Sequence, residues 1–453
     1  MNTDNIHILG GGPAGMACAY YAKKNNLPFK VYEKSNYIGG NCRTLEFEGF
    51  RFDTGAHRFH DKIPHVTSEI KKILNGDLVK VSAPSKIFYD DQLFHFPIRF
   101  LDILKKIKPG SNVQIFKEII YNQFLKIVDN PSFKDFAYHT YGQTLSELFL
   151  INYTEKLWGY PAHELSPSIS GGRLRDLNFL SVLKELFFKN SIKSRHLDGS
   201  FYYPSMGYGS IFESIYSLIG KQNLSFNNKI IKIIHNKDRL EKIVFKNNEA
   251  ISIKKLISTI PLTSFLKLLD PAPSEEIMNI INDLKFRSLY LCIILIDKPK
   301  CTENASIYFP NSKIPFTRIY EPNNRSIKMS PSKKTSLIVE IPENQGTNLD
   351  ENQQNEFIDR TVEEIIKKGF INKKNIISTK LINIPYAYPI IEKGIELKLD
   401  KVFKYLKTFE NLNILGRSAQ FQYIHTHDLF DSAEKTIHNL IKKGIINGYK
   451  KSN

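Results

Sequence analysis

The alternation of hydrophobic and polar positions predicts a β-α-β unit at the start of the chain. The apolar run from Ile6 to Leu9 ends in a glycine-rich stretch, and Met16 to Lys24 continue with small and apolar residues typical of a helix. Leu27 to Glu33 then predicts a second strand that closes on an acidic residue. This order is typical of a doubly wound, Rossmann-like domain that binds a dinucleotide.

The rest of the chain predicts a helical region and further sheets. Two basic segments from Pro97 to Val128 carry apolar residues at helical spacing, and Phe133 to Ser170 is predicted to be mostly helical. The polar stretch 344–355 predicts a solvated loop, and 431–443 predicts the closing helix. Strands are predicted at 230–234, 242–245, 254–259, 288–297, 316–321, 336–341 and 412–415. We find no internal repeat.

Composition indicates a large globular protein. The chain has 453 residues, 42% of them hydrophobic and 24% charged, so we expect two or three domains and exclude disorder and a pure coiled coil. Four cysteines without a CxxC pair favour a reducing, cytoplasmic compartment. There is no signal-peptide pattern, and no apolar run reaches the ~18 residues of a spanning helix, so we expect a soluble or at most membrane-peripheral protein.

The formal net charge of +17 favours an anionic partner, although surplus lysines are also typical of a solvated surface. A phosphorylated small molecule, an acidic membrane and a nucleic acid all fit the charge. We exclude a nucleic acid because neither its binding folds nor a clustered basic arm is present. Residues 98–128 are compatible with peripheral membrane contact, but an amphipathic helix packed on its own protein has the same pattern and is the alternative we favour. The oligomeric state stays open.

The glycine-rich stretch has the spacing of a dinucleotide fingerprint. The glycines at positions 10, 12 and 15 allow a sharp turn, the approach of a pyrophosphate, and close packing of helix on strand. The phosphates would bind at the helix N-terminus. Glu33, 23 residues after Gly10, is placed to accept hydrogen bonds from the ribose hydroxyls and would repel a 2′-phosphate. FAD or NAD is therefore favoured over NADP.

Five ordered motifs carry a family resemblance that favours FAD. The first two are Ile38-Gly39-Gly40-Asn41-Cys42-Arg43-Thr44 and Gly55-Ala56-His57-Arg58-Phe59-His60. The others are the stretches from Asn152 to Gly159, from Phe201 to Gly209 and from Gly416 to Tyr423, and the strand 256–261 accompanies them. Together they resemble the flavoprotein superfamily of amine oxidases, protoporphyrinogen oxidases, phytoene desaturases and UDP-galactopyranose mutases, with the mutases closest in motif.

The resemblance implies an α/β fold in three parts. A discontinuous FAD domain of the glutathione-reductase type is expected from 1–87, 200–262 and 405–453. A helical insertion is expected from 88–199, and a mixed-sheet substrate domain from 263–404. The enzyme is expected to be an FAD-dependent oxidoreductase acting on a polar anion, such as a nucleotide sugar or another phosphorylated sugar. A mutase that uses reduced FAD without net oxidation, an enzyme of the oxidase type, and a flavin-binding protein without catalysis remain alternatives.

The resemblance also implies site residues. The cofactor would contact Gly10, Gly12, Pro13, Ala14, Gly15, Glu33, Lys34, Gly39, Gly40, Asn41, Arg43, Gly55, Ala56, His57, Gly416 and Arg417. Catalytic roles fall to His57, Arg58, Arg417 and Tyr423. The substrate would contact Trp158, Arg173, Arg175, Tyr203, Arg318, Tyr320 and Tyr423, with Arg318 and Tyr320 on one face of a strand.

One motif departs from the mutases. The mutases have the pattern Gly-Arg-x-x-x-Tyr-x-Tyr-x-Asp. This chain has Phe421 in place of the first Tyr and His425 in place of the Asp. This departure puts strict mutase activity in doubt and would fit a less polar substrate. His425 and His427 are not expected to bind a metal, because two histidines at i and i+2 lack a clear third ligand.

Overall fold

The computed structural model describes residues 5–122, 124–170 and 200–442. Its strands are β1 (Ile6–Leu9), β2 (Phe29–Tyr32), β3 (Thr44–Phe47), β4 (Phe50–Asp53), β5 (Val79–Val81), β6 (Ser85–Tyr89), β7 (Gln92–Phe96), β8 (Phe201–Tyr203), β9 (Leu224–Ser225), β10 (Ile230–Asn236), β11 (Arg239–Phe245), β12 (Ala250–Ser252), β13 (Lys255–Ser258), β14 (Leu269–Asp270), β15 (Phe286–Ile296), β16 (Ser306–Tyr308), β17 (Arg318–Tyr320), β18 (Thr335–Asn344), β19 (Ile376–Pro389) and β20 (Leu412–Ile414). Its α-helices are α1 (Pro13–Lys24), α2 (Pro64–Ile73), α3 (Phe100–Lys106), α4 (Pro109–Asn122), α5 (Phe133–Tyr141), α6 (Gln143–Ser146), α7 (Asn152–Trp158), α8 (Ser210–Ile219), α9 (Leu262–Lys267), α10 (Glu275–Asp283), α11 (Glu351–Lys367), α12 (Ile395–Leu406) and α13 (Thr426–Lys442). A π-helical turn spans Glu147–Ile151, and short 3-10 turns span Pro167–Ser170, Lys221–Asn223, Pro322–Asn324, Ile327–Met329 and Lys373–Asn375.

The first sheet is parallel and has the strand order β20-β13-β1-β2-β9. β1 and β13 are buried along their whole length, as expected for strands covered on both faces. The chain leaves β1 toward β2 on one side and returns as β13 on the other, so the strand order reverses next to β1. Ligands of doubly wound sheets bind at the carboxyl ends of the strands at such a point.

The second large sheet has the order β19-β15-β18-β17-β16-β6-β7 and is mixed. All 11 residues of β15, which lies between β19 and β18, are buried, which explains the long apolar run in the sequence. The strand β6 crosses the predicted domain boundary at residue 87 and pairs within this sheet. The division into three sets of segments stays a prediction, but this strand lies in the mixed seven-stranded sheet.

The remaining elements complete the predicted class. β12, β11, β10 and β14 form a four-stranded sheet that contains the predicted hairpin, and α3 to α7 form the helical region. The α/β fold with a parallel Rossmann-like sheet and a separate mixed sheet is therefore confirmed.

Three element boundaries differ from the prediction for local reasons. α1 begins at Pro13 rather than Met16, because proline fits the first helical position. The predicted loop 344–355 is wrong from Glu351 onward, where α11 begins behind a capping box formed by Asp350 and Gln353. α13 begins at Thr426, so the closing helix is one turn longer at its start than predicted.

Candidate active site

The glycine-rich turn after β1 forms one wall of the candidate site. Gly10 has φ +97°, a left-handed conformation that favours glycine. A Cβ on Gly15 would lie 1.9 Å from the Gly10 carbonyl oxygen, so the start of α1 can pack here only with glycine. A Cβ on Gly12, in contrast, would meet among the described atoms within 4 Å only Gly40 Cα, at 4.0 Å. The space beside Gly12 is open, as predicted for an approaching phosphate.

The N-terminus of α1 points at this space. The helix has 12 residues, Gly12 is its N-cap, and no side chain of the described residues caps it. Its last turn carries Lys23 and Lys24, which complement the negative end of the helix dipole. The N–H groups of Ala14 and Gly15 in the first turn have no carbonyl within the helix to bind, so they can donate to an anion.

A second pair of glycines crosses the start of α1. Gly39 and Gly40 have φ +85° and +52°, and a Cβ on Gly40 would lie 3.2 Å from Gly12 Cα. The two turns therefore approach each other backbone to backbone. Arg43 fixes the second turn, since its Nε donates to the Gly40 carbonyl at 3.1 Å and its guanidinium lies 3.6 Å from the ring centroid of Tyr37.

Glu33 lies beside the glycine turn with most of its acceptor capacity in use. Its Oε2 accepts from the Gly11 N–H at 2.7 Å, and its Oε1 accepts from the N–H and hydroxyl of Ser35 at 2.8 and 2.7 Å. A carboxylate offers about four acceptor positions. About one acceptor position of Glu33 therefore remains for a ribose hydroxyl. Further positions would become available if Ser35 rotated away from the carboxylate. The neighbouring Lys34 is exposed.

His57 is held as a neutral ring. Its Nε2 lies 2.8 Å from the Asn41 carbonyl oxygen, which can only accept, so Nε2 carries the proton and Nδ1 is left as an acceptor. The pKa of His57 is lowered to about 3, mainly by burial; the Asn41 bond opposes this shift, and the charges of Arg325, Arg318 and Arg417 contribute to it. The ring packs against Tyr208 at a centroid distance of 5.1 Å.

The lowered pKa of His57 predicts a loss of stability in mild acid. The unfolded state takes up a proton near pH 6.5 and the folded state only near pH 3, so between these values the unfolded state binds more protons. The unfolding free energy should fall with decreasing pH by up to about 1.4 kcal/mol per pH unit from this group. Urea unfolding at pH 7, 6 and 5 should therefore show a smaller pH dependence for His57→Gln than for wild type. An equal dependence would contradict a neutral His57, and the exposed His163→Gln is the control.

Arg417 lies between two stacked tyrosines. Its guanidinium carbon lies 4.7 Å from the ring centroid of Tyr388 and 4.2 Å from that of Tyr423, and the two rings are parallel within 8° at 6.1 Å. Trp158 packs edge-on against both, at 5.6 and 6.4 Å. Nε and Nη2 of Arg417 are buried and have no hydrogen-bond partner among the described residues. Gly416 places this group next to the glycine-rich turn, since a Cβ added to Gly416 would lie 3.3 Å from the Cβ of Ala14.

Backbone strain accompanies both tyrosines. Tyr386 and Phe421, each two residues before a stacked tyrosine, have φ +53° and +52°. This region is unfavourable for bulky residues and costs of order 1–3 kcal/mol at each position. Phe286 packs edge-on against both strained side chains, at 5.2 and 5.1 Å. Asn41 holds the same segment, because its Nδ2 donates to the Tyr386 carbonyl at 3.1 Å.

Phe421 is fully buried, so it is a core residue and does not signal an apolar ligand.

An ion pair borders the site on the mixed sheet. Arg318 donates from Nε and Nη2 to the two oxygens of Glu340, both at 2.8 Å, and the two residues face each other in the register of β17 and β18. Glu340 Oε1 also accepts from the Ala56 N–H at 2.9 Å, next to His57. Burial opposes the charge of Arg318, but Glu340 raises its pKa well above the ordinary value. The charge of Arg318 is thus neutralised within the protein.

Removing the charge of Glu340 should destabilise the fold. In Glu340→Gln one acceptor oxygen becomes an NH₂ donor, which must face either Arg318 or the Ala56 N–H. The unmatched groups should cost about 1–3 kcal/mol and lower the melting temperature by several degrees. The exposed Glu363→Gln should leave it unchanged. An unaltered melting temperature for Glu340→Gln would contradict the ion pair.

Three predicted site residues make their hydrogen bonds away from the aromatic group around Arg417. Tyr203 and Tyr320 are fully buried, and their hydroxyls donate to the carboxylate and the carbonyl of Asp53, both at 2.5 Å. Alternation along β17 places Tyr320 on the same face as Arg318, but the Tyr320 hydroxyl is already used by Asp53. Arg58 donates to the hydroxyls of Ser85 and Ser306 at 2.7 and 3.0 Å. We therefore leave these three side chains out of the proposed ligand contacts.

The predicted Arg173 and Arg175 lie outside the described residues. Among the residues that are described, no group of three histidine, cysteine or acidic side chains could hold a metal ion. Within the same part of the chain, no helix is long and apolar enough to cross a membrane.

The residues present fit a dinucleotide. The crossed glycine turns leave an open cradle at Gly12, the first turn of α1 offers unused N–H donors, and Glu33 stands at the ribose position. Next to this cradle, Arg417 presents two buried donors without a partner in the described chain. The charge of Arg417 contributes to the lowered pKa of His57.

Comparisons with known proteins agree with this arrangement. A family model described as flavin containing amine oxidoreductase matches residues 13–381. The chain is 24% identical over 219 residues to a probable UDP-galactopyranose mutase of Klebsiella pneumoniae, a match that covers 48% of this chain and 53% of the relative. It is 32% identical over 89 residues to a 1-hydroxycarotenoid 3,4-desaturase of Flavobacterium sp. strain P99-3, covering 18% of each. The chain thus spans about half or less of these curated relatives.

The similarity extends over the whole fold in a solved structure. The structure of a reduced UDP-galactopyranose mutase superposes on this chain with a TM-score of 0.84. The superposition covers 98% of this chain and 96% of the mutase chain. The sequence identity is only 19%, so this likeness shows the fold and not the substrate.

Proposed function

Because the chain belongs to the family of flavin containing amine oxidoreductases, its cofactor is FAD, and we propose that it acts on a nucleotide sugar bound between the flavin and Arg417. The crossed glycine turns, α1 and Glu33 would hold the adenosine diphosphate half of FAD. When bound, FAD supplies the electron pair that the chemistry gives or takes. The side chains around Arg417 bind, orient and shield the substrate.

The observation that carries the proposal is the uncompensated charge of Arg417. Arg318 is paired with Glu340, and His57 is neutral at physiological pH. Arg417 has no carboxylate partner among the described residues, and two of its N–H groups are buried without an acceptor. Leaving such donors unsatisfied is costly, so an anionic ligand is expected to complete them. A planar fork with two free donors matches two oxygens of a diphosphate.

The aromatic side chains around Arg417 suit the rest of a nucleotide sugar. Tyr388, Tyr423 and Trp158 offer apolar ring surface for the base or the sugar. Tyr423 adds a hydroxyl donor beside the guanidinium. His57 Nδ1 is placed to accept a hydrogen bond from a ligand hydroxyl, and the lowered pKa of the ring keeps His57 neutral while it does so.

The reaction type is tested by product analysis. The purified protein is incubated with UDP-galactose, UDP-glucose or dTDP-linked sugars, once oxidised in air and once reduced with dithionite. A ring isomer formed only by the reduced protein indicates a mutase, and a sugar two electrons more oxidised, formed by the oxidised protein, indicates an oxidoreductase. If no sugar nucleotide is converted or bound in either state, the proposed substrate class is wrong.

A further inference from the structure

The helical region carries a concentration of exposed apolar side chains. Of the sixteen large hydrophobic residues that are exposed in the described chain, nine lie between residues 101 and 128. Phe124 is 83% exposed and Tyr121 65%. We call this segment the apolar-basic patch; its exposed apolar members are Leu101, Leu104, Val113, Ile120, Tyr121, Phe124, Leu125, Ile127 and Val128. Scattered apolar residues are normal on a surface, but a contiguous group marks an interaction site.

α4 is apolar on two opposite faces. Ile115 and Ile119 are buried and pack with Phe94 and Phe149 in the core of the helical region. Val113 and Ile120 lie on the other side of the helix and are exposed. A helix that only covers its own protein needs one apolar face. The packed helix favoured from the sequence therefore explains the inner face of α4 but not its exposed apolar face.

The exposed charges on and beside the apolar-basic patch are mainly positive, with the exposed Asp129 at its end as the exception. Arg99, Lys105, Lys108, Lys117 and Lys126 are exposed. The acidic residues within 98–128 are used internally. Asp102 pairs with His95 at 2.7 Å and with Lys106 at 3.1 Å, and Glu118 accepts hydrogen bonds from Thr144 at 2.7 and 2.8 Å.

We propose that the apolar-basic patch binds the surface of an anionic lipid bilayer. Apolar side chains between long basic ones suit the boundary between acyl chains and acidic headgroups, where lysines reach the phosphates with their stems on the apolar side. A second copy of the chain fits less well, because a two-fold contact would bring one mainly positive patch against another. The proposal is independent of the substrate at Arg417.

Vesicle sedimentation tests the proposal. The 453-residue chain with its FAD is mixed with vesicles of phosphatidylcholine alone or with about one-third phosphatidylglycerol. We expect binding to the anionic vesicles only and a marked loss of binding on raising the salt concentration, as screening weakens the lysine contribution. Phe124→Ser with Leu125→Ser should reduce binding by at least about tenfold. Both residues lie beyond the end of α4, so the change does not interrupt a helix.

Matched variants separate the patch from general surface effects. Ile327→Ser with Leu397→Ser removes two apolar residues elsewhere that are, as a pair, at least as exposed as Phe124 and Leu125, and it should leave vesicle binding unchanged. Lys117→Gln with Lys126→Gln should weaken binding to anionic vesicles, whereas Lys373→Gln with Lys374→Gln should have little effect. No sedimentation with anionic vesicles, or equal loss in the control variants, would overturn the proposal. So would a dimer that only the patch variants dissociate, because the patch would then be a protein interface.

Discussion

Replacing Gly12 with valine should yield a folded protein that holds no FAD. Gly12 has φ −75° and ψ −176°, an extended conformation that valine adopts readily, and an added Cβ has room against the protein. The same atoms would occupy the space in which the pyrophosphate approaches the start of α1. FAD affinity should fall by more than about 100-fold, or about 2.7 kcal/mol. The flavin absorbance per protein and the far-ultraviolet circular dichroism measure the two effects separately.

Two other glycines calibrate the Gly12 result. At Gly110 an added Cβ meets nothing within 4 Å, so Gly110→Val should keep its flavin. At Gly15 an added Cβ lies 1.9 Å from a backbone oxygen, so Gly15→Ala should lose folded protein as well as flavin. A yellow Gly12→Val protein with normal FAD content would show that the cofactor does not cross this turn.

Replacing Arg417 with alanine should weaken binding of UDP by at least about 30-fold while the fold survives. Deleting one partner of a buried, hydrogen-bonded charge pair costs about 2–5 kcal/mol, and the lower limit corresponds to this factor. Stability should change little, because Arg417 contacts its neighbours mainly through the faces of Tyr388 and Tyr423. Arg417→Lys should recover only part of the affinity, since an ammonium group lacks the planar fork. Calorimetric titration with UDP measures the change.

The control for Arg417 is Arg360→Ala, an exposed arginine on α11. It should bind UDP as the wild type does. The FAD content of every variant is measured first. If Arg417→Ala loses its flavin, the guanidinium serves the cofactor, and the substrate assignment fails even though the fold and the family stand.

The cofactor wall was predictable because its determinants are local. Strand, glycine turn, helix and acidic strand end follow each other within the first 33 residues, and each glycine has a steric reason visible in the spacing. The grouping of Arg417, Tyr423 and Trp158 was also predicted, by the family resemblance. The structure also shows that two Arg417 nitrogen atoms are buried without a partner in the described residues, which residue spacing cannot predict.

Residues brought in by strand pairing were missed. Tyr388 completes the aromatic pair around Arg417, but it lies in β19, whose register against β15 is irregular at this end. Glu340 had a signal that could have been used, because a carboxylate within the apolar run of β18 needs a partner. Tyr203 was predicted because it lies in the stretch from Phe201 to Gly209, and Tyr320 because strand alternation places it on the face of Arg318. The buried Asp53 takes both hydroxyls. A sequence does not reveal which hydroxyls are already satisfied.

A flavin difference titration with UDP tests the central proposal most directly. The purified wild-type protein, with its FAD, is titrated with UDP in the oxidised and in the dithionite-reduced state, and uridine serves as the control without phosphate. We predict a saturable change in the flavin spectrum with UDP that weakens with added salt, is much smaller with uridine and is lost in Arg417→Ala. A wild-type spectrum that stays unchanged at millimolar UDP in both states would contradict a nucleotide diphosphate site beside the flavin.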